Sequence, residues 1–291
     1  MQSNEVGTVV VRRRAHVVLA LMAVAAGLLV WASGPAQFTL LCVLAAVVYG
    51  LSKWLRCRRF EPFISEPRRS ALLALAACGL LIVYYSVRMW MSWAGHPAPS
   101  ARFEWYVHSQ LSSLVSPARM LAIYVILALP VMLIGKERLR SVGLMRRNLR
   151  EAYGIGAAAV VLIALYFFLF RVHRFESLPA VGLGYLVALV NCSLVGFGEE
   201  FFERGLVQTR LCAWLGPWRG WLCASTIGAL MHLPKYLFVY HKGPWAALVF
   251  CVSLLPFQLL MGFFMLRTRS LLASTMFHSF WDWFVILVRA A

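Results

Sequence analysis

Apolar residues dominate this chain in long uninterrupted runs, and polar residues gather in short clusters between them. Nine runs come near or above the roughly 20 residues needed to cross a hydrocarbon core of about 30 Å. They lie at about 15–33, 37–52, 70–94, 118–135, 151–170, 178–198, 220–238, 245–266 and 270–289. Two are marginal in length, so the pattern predicts eight or nine spans. No run alternates with the period of a barrel strand, and a backbone in lipid must satisfy its own hydrogen bonds, so the spans are expected to be helices. The expected fold is all-α: a polytopic transmembrane helical bundle. Residues 1–150 would supply N-terminal transmembrane helices and basic inner loops, and residues 151–291 a second set in which the ionisable groups change character.

Composition agrees with that picture. The chain is 62% hydrophobic and 13% charged, with a mean hydropathy of +0.75, against about 25% charged residues in soluble domains. The formal charge of +17 could suggest a nucleic-acid partner, but its placement argues otherwise. With the N-terminus threaded inside, 20 of the 28 Lys and Arg fall on the inner side: Arg12 to Arg14, six from Lys53 to Arg69, six from Lys136 to Arg150, then Arg204, Arg210, Arg219, Arg267 and Arg269. This is the positive-inside asymmetry, so the basicity reports topology and implies no nucleic acid. The segment KERLRSVGLMRRNLR (136–150) reads either as an interfacial helix, with Leu139, Val142, Met145 and Leu149 facing acyl chains, or as a solvated loop.

Several features have ordinary readings. The seven cysteines form no C-x-x-C pair and mostly sit inside runs, as small apolar packers do. Arg12 to Arg14 before an apolar stretch ending in WASGPA superficially resembles a signal peptide. The run is longer than a usual h-region and a second follows at once, so a retained first helix is expected. His96 and His108 fall in the longest outer connection, about 95–117, and read as interfacial histidines. The first four runs carry almost no ionisable residue except Arg88, near an end, and read as packing and lipid-facing mass.

The second half differs. From residue 178 onward the acids are Glu199, Glu200, Glu203 and Asp282, the last being the only aspartate in the chain, and His232 and His278 fall inside runs. Intramembrane ionisable groups must find a partner or face water, which makes them functional candidates. In GFGEEFFERGLVQ (196–208), Glu200 and Arg204 are four apart with the acid first, and Glu199 and Glu203 are four apart too. Arg204 is therefore placed to pair with Glu200 while Glu199 projects elsewhere, and two neighbouring carboxylates in different environments suit an acid–base site. His278 and Asp282 are also four apart on one helical face, and His232 lies about a dozen residues into its run. Each has a bland alternative: a solvated helix end, interhelical hydrogen bonding, or a buried structural pair. One shared inner cavity accounts for all three more economically than three unrelated burials.

These residues resemble a known family. EEFFER matches an E-E-x-x-x-R motif, His232 supplies the histidine of an F-x-x-x-H motif, and HSFWD matches H-x-x-x-N/D, in the order and spacing of the CPBP intramembrane proteases. That family includes CAAX prenyl endopeptidases and bacteriocin-processing or self-immunity proteins. The resemblance covers about residues 150–291, making 151–291 a CPBP-like catalytic domain, and is tightest between 183 and 285. Two positions depart. Gly228 stands four before His232 where the family usually carries Phe, and Asp282 stands where many members have Asn, which can donate to an oxyanion as an ionised Asp cannot.

What the resemblance implies is hydrolysis of a peptide or protein substrate in or at the bilayer, lipidated or not, in a multi-pass protein of a bacterial cell membrane with its N-terminus cytoplasmic. Glu199 with His232 would activate a water, Glu200 tied to Arg204 would position Glu199, and His278 with Asp282 would polarise the carbonyl. Asp282 would act as a neutral donor or as an orienter of His278. No cofactor is favoured. The rival chemistry is zinc held by Glu199, His232 and His278, although H-E-x-x-H is absent. Other classes stay open: a silent scaffold or immunity protein, and a proton-coupled transporter, for which no inverted repeat is visible. Glu199 at the inner end of its run places the chemistry toward the inner leaflet.

Overall fold

The computed structural model describes residues 34–55, 57, 64–94, 114–144, 148–171 and 182–290. The expected span at 15–33 and the histidines His96 and His108 lie outside them. Among the described residues there is no strand, and eight helices are long and apolar enough to cross a membrane. They are α1 (Pro35–Trp54), α2 (Pro67–Ala94), α3 (Val115–Ile134), α4 (Leu149–Arg171), α5 (Leu183–Leu215), α6 (Pro217–Val239), α7 (Pro244–Thr268) and α8 (Leu271–Ala290). The all-α transmembrane bundle expected from the run pattern is the fold found.

Gly-Pro steps start α1, α6 and α7, at Gly34, Gly216 and Gly243. Proline at the first helical position gives up an N–H that has no partner within the helix. At Gly216 a φ of 84° lets the chain leave α5 and enter α6 with no intervening loop.

Three features differ from the sequence expectation. The sixth run does not end near residue 198: α5 continues for 33 residues to Leu215, roughly 50 Å at 1.5 Å per residue. It is α-helical over Leu183–Glu200, π-helical over Phe201–Gln208 and α-helical again over Thr209–Leu215. Charge made the middle of this helix look like its end. Second, Arg204 and Arg210 are fully buried, so they are interior ion-pair partners and do not belong with the inner-side charges that set topology. Third, residues 136–150 are not one interfacial helix among the described positions. Leu139–Val142 is a short 3-10 turn closed by Gly143 at φ 79°, with Leu139 exposed and Val142 buried, and Met145 is not described. The turn tucks inward because Arg210 binds both Glu137 and Ser141.

Helix α8 packs against α4 and α5, α3 against α5, α6 against α7, and α1 against α4 and α7. Two apolar cores result. One gathers Leu81, Tyr124, Phe202 and Leu206 from α2, α3 and α5, and the other gathers Leu44, Ile155, Phe264 and Phe277 from α1, α4, α7 and α8. The ionisable residues of α5 and α8 lie where these cores adjoin, so the N-terminal helices pack directly onto the span that carries the charges.

Candidate active site

The site grows from the π-helical turn of α5. All eight residues of FFERGLVQ are buried, and π turns inside α-helices frequently mark functional positions because they offset side chains from the regular 3.6 spacing. Glu200, Glu203 and Arg204 all turn inward there. Arg204 Nε stands 3.6 Å from Glu200 Oε2, and its Nη2 donates to Glu203 Oε2 at 3.2 Å. Arg204 Nη2 also donates to Gln258 Oε1 of α7. One guanidinium thus gathers two carboxylates and an amide from two helices, which is what keeps this much charge tolerable inside a bundle.

Opposite this hub, α8 presents His278 and Asp282. His278 Nδ1 lies 3.1 Å from Glu200 Oε1, while its Nε2 lies 3.5 Å from Glu199 Oε2 and 3.6 Å from Asp282 Oδ2. The expected i, i+4 pairing of His278 with Asp282 and of Glu200 with Arg204 is therefore present. His278 is anchored at both ring nitrogens, with Phe257 edge-on to its ring at 5.7 Å. Since α8 begins at Leu271, this meeting point lies about 10 Å along that helix. Glu199 keeps 15% of its side chain exposed, whereas Glu200 and Glu203 keep 1% and 5%. Of the three glutamates it is the one with room for a reactant.

The partner of Glu199 differs from expectation. Glu199 meets His278 and not His232, with which it forms no ion pair among the described residues. His232 lies within α6, just past its α-helical stretch Pro217–Leu230, where its Nδ1–H donates to Gly228 O at 3.0 Å. That bond leaves Nε2 as the free ring nitrogen. His232 is within electrostatic reach of Glu203 and His278, so it borders the same cluster.

Gly228 explains its own departure from the family pattern. A Cβ there would come within 2.5 Å of Glu203 Oε2 and 2.6 Å of Gln258 Oε1. No side chain, and least of all phenylalanine, fits between α6 and the arginine hub as arranged here.

Sequence reasoning missed the contributions of α2 and α3, which had read as passive mass. Tyr124 of α3 donates to Glu199 Oε1 at 3.4 Å, and Tyr85 of α2 donates to Tyr124 Oη at 2.9 Å. A tyrosine in an apolar run carries no signal, being common near membrane surfaces. Gln258, a lone amide in FQLLMG, was a visible cue that went unused. Among the described residues, no three of His, Cys, Asp and Glu are disposed to hold a metal ion.

Fold and site together define the class: a polytopic helical membrane protein with a carboxylate and imidazole centre buried between its spans. Residues 181–284 match the family model of Type II CAAX prenyl endopeptidase Rce1-like, a match consistent with a CPBP-family intramembrane protease. The match takes in all three motifs and covers a little over a third of the chain. At family level it supports a CAAX-protease-like intramembrane endopeptidase acting on a membrane-associated peptide, in a multi-pass integral membrane protein. Neither a curated protein nor a solved structure matches the chain.

Proposed function

We propose that this protein is an intramembrane endopeptidase in which Glu199 activates the hydrolytic water. The observation that carries this reading is the setting of Glu199: the least enclosed of the three glutamates, facing the imidazole of His278 on a second helix. Glu199 takes a proton from water, the hydroxyl adds to the scissile carbonyl carbon, and the proton passes to the leaving nitrogen as the C–N bond breaks. Glu200 and Asp282 orient His278 from opposite nitrogens, and Arg204 holds Glu200 in place. The free Nε2 of His232 is the ring nitrogen available to the reacting carbonyl or to the water. In this reading Asp282 is an orienter, since its carboxylate already faces His278.

Every step uses protein groups alone, and none is routed through a metal. Metal analysis of the purified protein with activity measured in chelator tests this: full turnover in chelator is expected, and stoichiometric zinc whose removal abolishes turnover overturns it. The substrate class we favour is a peptide or protein segment at the bilayer, with lipidation left to the substrate itself. The remaining asymmetry of Lys and Arg supports a cytoplasmic N-terminus, and the bacteriocin-processing branch of the resemblance supports a bacterial cell membrane.

The deciding experiment compares membrane proteomes of wild-type and Glu199→Gln strains. New N-termini present only in the wild type are expected. Identical termini, together with an intact phenotype in the Glu199→Gln strain, would favour the silent scaffold.

A further inference from the structure

We infer that Tyr124 and Tyr85 form a hydrogen-bond relay that fixes Glu199 in its reactive orientation, making the N-terminal half a working part of the site. The inference rests on the assignment of Glu199 as the base, and both tyrosines lie outside the segment 181–284 that matches the family model.

The relay has one consistent direction. An ionised carboxylate only accepts, so the proton of Tyr124 must point at Glu199 Oε1, 3.4 Å away. Tyr124 Oη then has lone pairs to offer, and Tyr85 donates to it at 2.9 Å. Tyr124 and Tyr85 are both buried, at 2% and 7% exposure, so water does not compete for these bonds. The ring of Tyr124 is held edge-on to Tyr85 and tilted against Phe202 at 5.6 Å.

The backbone of α5 is shaped to admit this tyrosine. A Cβ at Gly198, the residue before Glu199, would lie 2.8 Å from Tyr124 Cδ2. Only a glycine lets the ring come down onto the turn that carries the carboxylate. The two oxygens of Glu199 then have separate tasks. Oε1 is tied to Tyr124, and Oε2, beside His278 Nε2, is left to take the proton of the water. With Tyr124 removed, the carboxylate can rotate and lose the oxygen that faces the reactant. Tyr124 is in this sense a positioning residue, and Tyr85 strengthens it by polarising its hydroxyl.

The test uses the full chain in phosphatidylcholine vesicles and two readouts. Infrared difference spectra would assign the Glu199 carboxylate band by its loss in Glu199→Gln, and that band is expected to shift in Tyr124→Phe and to shift less, in the same direction, in Tyr85→Phe. Turnover of a peptide spanning one of the wild-type neo-termini is expected to fall about 10- to 100-fold in kcat in Tyr124→Phe, the worth of one hydrogen bond to a charged group, with KM unchanged. An unmoved band in both variants overturns the relay. A moved band with unchanged kcat, or a loss confined to KM, overturns its positioning role. If Tyr124→Phe fails to fold, Tyr85→Phe, which leaves Tyr124 and its bond to Glu199 in place, decides by the same two criteria. If Glu199→Gln leaves the neo-termini unchanged, the protease reading falls and the positioning role with it, while the band shift still tells whether the hydrogen bonds exist.

Discussion

Helix α5 carries two buried arginine networks only six residues apart, and they have opposite characters. Around Arg210 both terminal nitrogens are tied to protein groups, and only Nε lacks a partner. The guanidinium pairs with Glu137 and donates to Ser141 Oγ, Thr209 Oγ1 and the carbonyl of Gly205, while Ser70 donates to the other oxygen of Glu137. The side chains of that pair are 0% and 2% exposed. Around Arg204 the same chemistry is left open at one edge, where Glu199 and Asp282 retain 15% and 40% exposure beside His278. A buried ion pair whose partners are all supplied by the protein is a clamp. One that leaves a carboxylate and an imidazole facing outward can do work on something else. Arginine and glutamate in a membrane do not distinguish the two cases; the exposure left to the carboxylates beside them does.

Mutations can break this comparison or sharpen it. The largest effect is expected from Glu199→Gln, which should lower turnover by about a thousandfold or more while thermal unfolding stays near that of the wild type. A large fall in melting temperature would show that Glu199 belongs to the scaffold. Arg210→Met should behave in the reverse way, destabilising by about 3–5 kcal/mol because Glu137 is left charged, buried and unpaired. Activity per folded molecule should survive, and adding Glu137→Gln should restore much of the loss in unfolding assays. If turnover of the folded fraction collapses instead, the clamp is part of the chemistry.

Asp282→Asn should reduce kcat by roughly 10- to 100-fold, the worth of one interaction with a charged group, with stability unchanged. Full activity would instead make position 282 a neutral donor. Gly228→Ala should cost about 1–3 kcal/mol by forcing Glu203 and Gln258 apart. As a contrast, Gly154→Ala on α4 meets nothing within 4 Å and should be neutral or stabilising by up to about 1 kcal/mol. Equal effects at the two glycines, in unfolding measurements, would contradict the close packing around Gly228.

What could be read along the chain was whatever repeats or stands out locally. The eight described helices follow the apolar runs because membrane burial requires about 20 apolar residues regardless of neighbours. Glu200 with Arg204 and His278 with Asp282 were legible because i, i+4 spacing is a property of one helix. The partner of Glu199 was not. Which histidine it meets depends on how α5, α6 and α8 pack, and the π turn shifts the facing of residues 201–208 away from a 3.6 pattern. The continuation of α5 to Leu215 was hidden because Glu199, Glu200, Glu203, Arg204 and Arg210 lower local hydropathy, although Arg204 pairs with Glu200 and Glu203 on the same helix and Arg210 with the distant Glu137. Tyr124 was invisible for the same reason: its role is made by Glu199 and by the missing side chain of Gly198, both more than 70 positions away.

The length of α5 has a physical consequence for the surrounding lipid. A rod of roughly 50 Å would need a tilt beyond about 50° to hide within a 30 Å core, more than the 0–40° that such helices adopt. Some of its turns must therefore reach into the headgroup zone. Because ion pairs stiffen the rod through its middle, changing acyl-chain length should raise or lower the reaction centre relative to the bilayer surface. Membrane thickness thereby becomes a variable to which this chemistry answers.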